Sequence, residues 1–325
     1  MKKQKLLYYK KLNFQQSNLK LLESNFEVTI IDSPDDDNDD LLKKQVICFA
    51  PLGFYFDTKK ISKMDKLRII CTNTTSTPHI DINAASERGI SIISLKNEIN
   101  FLETITPTAE HTWGLMLALM RNIPRAFNSV KNGEWSRWPY GSPKMLSRMS
   151  IGIVGLGRIG KMVAKYAKAF DMNVKYFDPY VQDVSLDVVR VGSLEELVSS
   201  SDIVSLHLHL TDETNKIINS EMISKFKRGS WLINTSRGEL IDNSAMIESL
   251  NSGKLAGAAL DVISDEFEQG GEFNVSEHDL VKYASAHNNL IITPHIAGST
   301  VDAWTLTQEH VILQVIKKIN KKSYL

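Results

Sequence analysis

The chain has 325 residues, which suffices for two domains that each bury a hydrophobic core. Lysine plus arginine and aspartate plus glutamate each total 38, so the formal net charge is zero. Because nucleic acids and anionic membrane surfaces attract proteins with a basic surplus, this balance argues against both as partners. Two cysteines cannot build a disulfide framework, and no spacing of His or Cys indicates a metal site.

The N-terminal segment is basic, but its apolar run is too short for a signal peptide. The longest apolar helix candidate, around Trp113–Met120, is too short to span a bilayer. Cys48 and Cys71 lie in apolar runs typical of strands, so we expect small, buried and reduced side chains. Together these features predict a cytoplasmic protein.

The first part of the chain alternates short apolar runs with polar stretches of helical composition, which predicts a parallel sheet covered on both faces. The acidic run 35–40 is interpreted as a solvated loop leading into a helix rather than as a metal site. The predicted strands are Leu6–Tyr9, Phe26–Ile31, Val46–Ala50, Arg68–Thr72 and Ile90–Ser94. The predicted helices are Ser17–Ser24, Leu41–Lys44, Ile61–Lys66 and Ile82–Gly89.

A connector and a long helix follow these strands. The segment Lys96–Glu103 has no clear period and is interpreted as the connector. Thr106 and Pro107 predict an N-cap followed by proline at the first helical position. The helix Thr108–Ile123 is apolar almost all round, so we expect it to be buried between layers or domains. The aromatic loop 132–143 suits either a substrate lid or a subunit contact.

The stretch 151–160, IGIVGLGRIG, indicates a buried strand, a glycine-rich turn and a helix start. Its three glycines fit the G-x-G-x-x-G spacing of dinucleotide-binding turns, in which backbone N–H groups at the helix start hold a pyrophosphate. The predicted cofactor contacts of this turn are Gly155, Gly157, Arg158, Ile159 and Gly160.

Asp178 completes the nucleotide-binding pattern. A helical pattern follows the glycine turn, and the next strand ends in this acid, 18 residues after Gly160 (178 − 160). The position suits a contact with a ribose 2′-hydroxyl and disfavours NADP, because a carboxylate repels a 2′-phosphate. The alternative is an ordinary helix–strand junction with chance glycines, but the full order of elements favours NAD binding.

Further strands and helices predict a second parallel sheet. The last helix, about Val301–Asn320, has no following strand and should return to pack on the first domain. The second unit is therefore predicted to be inserted into the first, with a ligand cleft outside the carboxyl ends of the strands. The predicted strands of this region are Asp202–Leu208, Trp231–Asn234, Gly257–Val262 and Leu290–Ile292, and the predicted helices are Glu195–Ser200, Ser220–Lys225 and Asn243–Ser252.

Polar residues follow three strands of the second unit, namely Arg237, Glu266 and His295. An arginine can hold a carboxylate and polarise the neighbouring carbonyl, and a histidine can protonate the oxygen as hydride reaches carbon. A carboxylate beside that histidine favours its protonated form. Taken singly, Arg237 fits a surface charge, Glu266 a solvated acid and His295 a core histidine. Together, at three strand ends of one sheet, they indicate a site for a 2-oxo acid. His207 also ends a strand and suits either a cofactor contact or a structural role.

Four sequence motifs resemble those of the D-isomer-specific 2-hydroxyacid dehydrogenases. They are GLGRIG at 155–160, NTSRGELID at 234–242, LAGAALDV at 255–262 and TPHIAGS at 293–299. The resemblance covers nearly the whole chain and implies an α/β fold of two doubly wound parallel-sheet domains. A Rossmann NAD-binding domain, 105–296, would be inserted into a flavodoxin-like substrate-binding domain, 1–104 and 297–325.

The resemblance also implies roles for individual residues. Arg237 would bind the substrate carboxylate, His295 would act as acid and base, and Glu266 would pair with His295. Thr235 and Asp261 would contact the nicotinamide half of NAD.

A turn of the first domain, 74–78, would hold the substrate through Ser76 and Thr77, although the family usually has glycine where Ser76 stands. His209 likewise replaces a usual proline. The predicted function is that of an NAD-dependent oxidoreductase acting on a D-2-hydroxy acid or its 2-oxo acid. We expect a homodimer to which the helix Thr108–Ile123 and the loop Trp135–Tyr140 contribute. The alternative is a non-catalytic NAD-binding scaffold or a corepressor-like protein of the same fold.

Overall fold

The structure is a computed structural model that describes residues 3–182, 185–266 and 274–322. The chain forms two compact units, one of Met1–Ile105 with Ser299–Leu325 and one of Thr106–Gly298. The chain therefore leaves the first unit, builds the second and returns. The predicted boundaries lie close to these limits, at 104 against 105 and at 296 against 298. The assignment of the first unit to the substrate and of the second to NAD remains a prediction.

The first unit contains a five-stranded parallel sheet in the order β2-β1-β3-β4-β5. This is the flavodoxin-like order, in which the chain reverses direction across the sheet between β1 and β3. All five predicted strands are confirmed, with shorter limits at most ends. The strands are β1 (Lys5–Tyr9), β2 (Glu27–Ile31), β3 (Ile47–Phe49), β4 (Ile69–Cys71) and β5 (Ser91–Ile93).

Side chains alternate between two core layers of this sheet, as the pleat of a strand dictates. Leu6, Ile47 and Ile69 pack into one layer, and their neighbours Leu7 and Cys48 pack into the other. Both cysteines are buried and free, as expected. Because both faces are covered by helices, the strands appear in the sequence as continuous apolar runs. The helices of this part are α1 (Gln16–Asn25), α2 (Asp39–Leu42), α3 (Thr58–Ser62), α4 (Ile82–Glu87) and α5 (Ile99–Leu102).

The acidic run 35–40 leads into α2 as predicted. Ser33 and Asp36 form a capping box at a short 3₁₀ turn, and Asn38 accepts a hydrogen bond from the Leu41 amide at the start of α2. These side chains satisfy backbone N–H groups that have no partner inside a helix. Asp37 instead pairs with a lysine of α3.

The connector and the long helix differ from the sequence prediction in three ways. The connector contains α5. Helix α6 (Pro107–Met120) has Thr106 at its N-cap position without a side-chain cap, because the Thr106 hydroxyl donates to Glu110 instead, at 2.5 Å. The predicted single helix ends early, since Asn122 is left-handed (φ 53°) and a separate helix α7 (Ile123–Lys131) follows.

The second unit contains a seven-stranded parallel sheet in the order β12-β11-β10-β9-β6-β7-β8. The seven strands follow the Rossmann order, which extends to both sides of β6 and has its switch point between β6 and β9. The sequence prediction missed the two-residue strand β8 and the helix α12. The strands are β6 (Ser150–Val154), β7 (Asn173–Phe177), β8 (Val189–Arg190), β9 (Ile203–Leu206), β10 (Ser230–Asn234), β11 (Leu255–Leu260) and β12 (Leu290–Ile292).

Helices cover both faces of this sheet. Adjacent strand residues such as Leu232 and Ile233 belong to opposite core layers, and α6 packs with α8 in the layer of Ile233. The helices are α8 (Arg158–Ala169), α9 (Leu194–Ser199), α10 (Ser220–Lys225), α11 (Asn243–Asn251) and α12 (Asp279–Ala286), and a last helix, α13 (Val301–Lys322), ends the described chain.

Helix α13 packs within the first unit, which confirms the predicted return of the chain. Val311, Ile312 and Val315 are fully buried in the core layer that contains Leu6. The Gln308 side chain accepts a hydrogen bond from the Gln15 amide at 2.9 Å and so joins α13 to the start of α1. Among the described residues, no helix is both long and apolar enough to cross a membrane.

Candidate functional site

The predicted site residues of the second unit follow six strands of one parallel sheet. Because parallel strands present their carboxyl ends at the same edge, these segments share that edge. The neighbouring strands β10, β11 and β12 are paired in register, with Asn234 opposite Leu260 and Leu260 opposite Ile292. Arg237, Glu266 and His295 therefore follow three adjacent strands.

The glycine-rich turn between β6 and α8 fits a dinucleotide. Gly155 is left-handed (φ +88°), and a side chain on it would meet the His207 carbonyl oxygen at 2.6 Å. A side chain on Gly160 would meet the Gly155 carbonyl oxygen, so glycine is required for α8 to begin this close to the turn. Apart from Gly157 itself and its two chain neighbours, no atom of the described residues lies within 4 Å of the position of a Cβ on Gly157. The turn thus offers open space at the start of a helix, where backbone N–H groups attract a pyrophosphate.

Asp178 follows β7 and is joined to the glycine turn. One carboxylate oxygen accepts a hydrogen bond from the Leu156 amide at 2.8 Å. The other accepts from the amides of Tyr180 and Val181 at 2.8 and 3.0 Å. A carboxylate has about four acceptor positions, and the described residues use three of them, which leaves one for a ribose hydroxyl. The position fits the predicted ribose contact, and the role remains a prediction.

His207 follows β9 as an electrically neutral ring. Its Nε2 lies 2.9 Å from the Ser205 hydroxyl, and its enclosed Nδ1 has no hydrogen-bond partner among the described residues. Burial lowers the pKa of His207 to about 3, because the charged form would lose its hydration. The side chain therefore adds no positive charge near the glycine turn at neutral pH.

A network of polar groups fixes the turn that carries Arg237. The Asn234 side chain donates to the Arg237 carbonyl at 2.7 Å and accepts from the Ser236 amide at 2.9 Å. The Ser236 hydroxyl donates to the Leu206 carbonyl of β9 at 2.6 Å. A side chain on Gly238 would overlap the backbone of Ile263, so glycine lets this turn pack against the segment after β11.

Thr235 belongs to the same turn and is nearly buried. Its hydroxyl lies 2.7 Å from the hydroxyl of Thr112 on α6. The predicted contact of Thr235 with nicotinamide is not tested by this geometry and remains a prediction. Helix α6 therefore contacts the arginine turn directly.

Glu266 and His295 form the pair expected of an acid/base site. Glu266 Oε1 lies 2.9 Å from His295 Nδ1, with the two side chains 13% and 30% exposed. His295 itself (φ +51°) and Asp265, next to Glu266 (φ +63°), are left-handed. Such conformations cost a non-glycine residue about 1–3 kcal/mol each and persist where surrounding contacts impose them. One lies at His295 itself and the other directly beside Glu266, so both segments that carry the pair hold a constrained backbone.

Asp261 holds the turn that carries His295. Its side chain is 1% exposed and accepts hydrogen bonds from the amides of Ile296 (2.9 Å) and Ala297 (2.7 Å) and from the Thr293 hydroxyl (2.5 Å). The Asp261 carbonyl accepts from the His295 amide at 2.9 Å. Asp261 is therefore placed to orient the histidine turn, and the predicted nicotinamide contact is an additional role that remains untested.

His111 is a residue near the site that the strand-end pattern of the sequence does not single out. Its Nε2 lies 2.9 Å from the Thr293 hydroxyl and 3.4 Å from Asp261 Oδ1. The available signal was that the first turns of this mostly apolar helix carry polar residues, among them His111 and Thr112. Only the packing of α6 on the sheet shows which groups this pair contacts.

The predicted substrate turn lies in the first unit, after β4. The Thr74 hydroxyl donates to the Ser76 carbonyl at 2.5 Å, and the Ile80 amide donates to the Thr77 carbonyl at 3.2 Å. Ser76 is not one of the described residues that have a positive φ. The turn therefore accommodates serine without the left-handed backbone that favours glycine. The proposed substrate contacts of Ser76 and Thr77 remain predictions.

Sequence comparison identifies the family. Residues 113–297 match the family model described as "D-isomer specific 2-hydroxyacid dehydrogenase, NAD binding domain". The chain belongs to this family. Its second unit therefore contains the family's NAD-binding domain, in agreement with the glycine turn and the Rossmann strand order.

Individual relatives in the family carry different names. The chain is 39% identical to a D-3-phosphoglycerate dehydrogenase of Bacillus subtilis over 79% of its own length and 46% of that protein. It is 35% identical to a hydroxypyruvate reductase of Thermotoga maritima over 79% and 78% of the two chains. The structure of D-lactate dehydrogenase from Aquifex aeolicus complexed with NAD and lactic acid shares 30% identity, with a TM-score of 0.81 over 98% and 96% of the two chains.

The aligned part of the chain spans about half the length of the phosphoglycerate dehydrogenases it matches, at 46%, 47% and 44% of three of them. Names within the family thus cover phosphorylated and unphosphorylated acids.

Proposed function

We propose that the protein is an NAD-dependent oxidoreductase that interconverts a D-2-hydroxy acid and the corresponding 2-oxo acid. The observation that carries the proposal is the His295–Glu266 pair, 2.9 Å apart, in the unit that contains the family's NAD-binding domain. Arg237 follows the strand next to that of Glu266. A cation for a carboxylate and a histidine paired with an acid are the groups that this reaction needs.

The proposed roles divide between cofactor and substrate. The turn Gly155–Gly160 would hold the pyrophosphate and Asp178 the ribose, with His207, Thr235 and Asp261 toward the remaining parts of NAD. When bound, NADH supplies a hydride to carbon 2 of the oxo acid.

The residues of the chain supply binding and the proton. Arg237 binds the carboxylate and polarises the neighbouring carbonyl. His295 donates a proton to the carbonyl oxygen as that oxygen gains negative charge. We assign this proton to Nε2, because Glu266 engages Nδ1. In the reverse direction, His295 accepts the hydroxyl proton of the D-2-hydroxy acid.

The experiment is NADH oxidation with a panel of 2-oxo acids, followed by chiral analysis of the product. The panel contains glyoxylate, pyruvate, hydroxypyruvate, 3-phosphohydroxypyruvate and phenylpyruvate. We expect turnover of at least one compound to the D-isomer. Binding of NADH, followed by its fluorescence, without turnover of any compound would favour the non-catalytic scaffold instead.

We also propose that the protein is a cytoplasmic homodimer. The apolar residues of α6 that we expected at the interface, such as Trp113 and Met116, are buried within their own unit. Exposed apolar side chains lie instead on α7 and in the loop after it, where Trp135 and Trp138 are 90% and 79% exposed. Such a patch is typical of a protein interface.

Light scattering tests the dimer. On α7, Ile123, Phe127 and Val130 are exposed at helical spacing on one face. We expect a dimer for the wild type and a monomer for Phe127→Ser combined with Val130→Ser. Asn128→Ser, on the same helix, is the matched control and should remain dimeric. A wild type that is monomeric at assay concentration contradicts the proposal.

A further inference from the structure

Two successive residues of α6 contact the two turns on which the proposed chemistry depends. His111 Nε2 lies 2.9 Å from the hydroxyl of Thr293, two residues before His295. Thr112 Oγ1 lies 2.7 Å from the hydroxyl of Thr235, two residues before Arg237. One rigid helix therefore contacts both turns through neighbouring side chains.

The direction of the hydrogen bonds at His111 follows from counting protons. The Thr293 hydroxyl donates its single proton to Asp261 Oδ1 at 2.5 Å. The hydroxyl oxygen must then accept from His111, so Nε2 of His111 bears the proton. Asp261 in turn accepts from the amides of Ile296 and Ala297. Asp261 thus holds the turn of His295. His111 donates to Thr293, which in turn donates to Asp261.

The same counting applies at Thr112. Its hydroxyl donates to the Thr108 carbonyl at 2.7 Å, so the Thr235 hydroxyl must donate to Thr112 Oγ1. Thr112 is 2% exposed and Thr235 is 8% exposed. Loss of the Thr112 oxygen would leave a donor of the arginine turn without a partner in a site closed to water, which is costly.

We infer that His111 and Thr112 are positioning residues, His111 for the proton-transfer group His295 and Thr112 for the carboxylate-binding group Arg237. The inference rests on the proposed function for the roles of His295 and Arg237. Because the two side chains are consecutive on one helix, α6 sets the position of one turn relative to the other. A displacement of about 1 Å in such an arrangement is enough to cost about 100-fold in rate.

Steady-state kinetics separates the two residues. Proton transfer occurs only in the transition state, so His111→Leu should lower kcat about 10-fold with KM for the 2-oxo acid changed by less than about threefold. Arg237 binds the carboxylate before and during the reaction, so Thr112→Val should raise KM for the 2-oxo acid about 5- to 10-fold with a smaller change in kcat.

Conservative variants provide the matched controls. Glutamine can place an amide N–H near the position of the imidazole Nε2, so His111→Gln should recover most of the lost kcat. Thr112→Ser keeps the hydroxyl and should recover most of the lost affinity, whereas valine has the same shape without it. Urea unfolding and circular dichroism of each variant show whether the fold is intact.

An NMR measurement on the ligand-free protein distinguishes failure of this inference from failure of the proposed function. The ring resonances of His295, identified by their absence in His295→Ala, should shift in His111→Leu and return toward wild type in His111→Gln. If no 2-oxo acid is turned over, the proposed function fails while these resonances still test the positioning by His111. Two results overturn the inference: His295 resonances that do not change in His111→Leu, or the same pattern of changes in kcat and KM for both His111→Leu and Thr112→Val.

Discussion

The substitution Glu266→Gln isolates the charge of the acid that faces His295. Glutamine has nearly the same shape as glutamate and retains a carbonyl oxygen that can accept a hydrogen bond from His295 Nδ1. In the wild type, Nδ1 lies 2.9 Å from Glu266 Oε1. A hydrogen bond to a charged group contributes about 1.5–3 kcal/mol and a neutral one about 1 kcal/mol, so the charge itself contributes about 0.5–2 kcal/mol. Because His295 is 30% exposed, solvent screening keeps the effect from being larger.

This difference corresponds to a kcat for reduction that is about 2- to 30-fold below that of the wild type. The assay is NADH oxidation with the preferred 2-oxo acid, measured for Glu266→Gln, His295→Ala and the double variant. His295→Ala should lower kcat about 10²- to 10⁴-fold, the usual range for loss of an acid/base group, with NADH binding near normal. If Glu266 acts through His295, the second substitution changes the His295→Ala enzyme by less than about twofold.

Two results refute this reasoning. Glu266→Gln with a kcat equal to that of the wild type would show that the charge does not assist proton transfer. Independent, additive losses in the double variant would show that Glu266 acts on the reaction by a route other than His295.

Two further predictions concern the cofactor and pH. Because the carboxylate of Asp178 would repel a 2′-phosphate, kcat/KM for NADH should be at least about tenfold above that for NADPH. Comparable values contradict this prediction. Burial lowers the pKa of His79 from 6.5 to about 4. Near and below pH 6.5 the unfolded chain therefore binds more protons than the folded one, and the free energy of unfolding falls as the pH drops. Between about pH 7.5 and 5.5, His79→Asn should lose about 1 kcal/mol less unfolding free energy than the wild type, whereas substitution of the exposed His209 should not matter.

The sequence predicted the strands well because both sheets are parallel and covered on both faces. Buried parallel strands are continuous apolar runs, which are visible without knowledge of their neighbours. The missed strand β8 has two exposed residues, Val189 and Arg190, at the edge of its sheet, so it lacks that signal. The break between α6 and α7 depends on a left-handed Asn122, a conformation that composition alone does not specify.

The site likewise contains residues that the sequence predicts and one that it does not. Arg237, Glu266 and His295 were found because each follows a strand of one parallel sheet, and chain topology alone brings such positions to one edge. His111 is separated from Thr293 by 182 residues and reaches it only through the packing of α6 on the sheet. Such a long-range contact depends on helix position and rotation, which a hydrophobic pattern does not fix.

The structure also bears on whether the substrate is phosphorylated. The loop 51–57 follows the carboxyl end of β3, and ligands of parallel sheets bind outside such strand ends, so we expect this loop to face the substrate. It has no Arg or Lys. Of its aromatic residues, Phe56 belongs to the core, whereas Tyr55 is exposed. Lys60, on the helix after the loop, lies 2.5 Å from Asp37 with the two side chains 12% and 13% exposed, and its ammonium lies 4.1 Å from the centre of the Phe56 ring. Removing a partner from a buried ion pair costs about 3–5 kcal/mol, so Lys60 is held away from other anions.

We therefore predict that hydroxypyruvate or a larger unphosphorylated 2-oxo acid has a higher kcat/KM than 3-phosphohydroxypyruvate, because a phosphate needs cations that this loop does not provide. Leu52→Arg, at an exposed position of the loop, should move the ratio toward the phosphorylated compound, and Leu52→Gln is the uncharged control. A wild type that prefers the phosphorylated acid about tenfold, equivalent to about 1.4 kcal/mol, would show that a cation from elsewhere binds the phosphate.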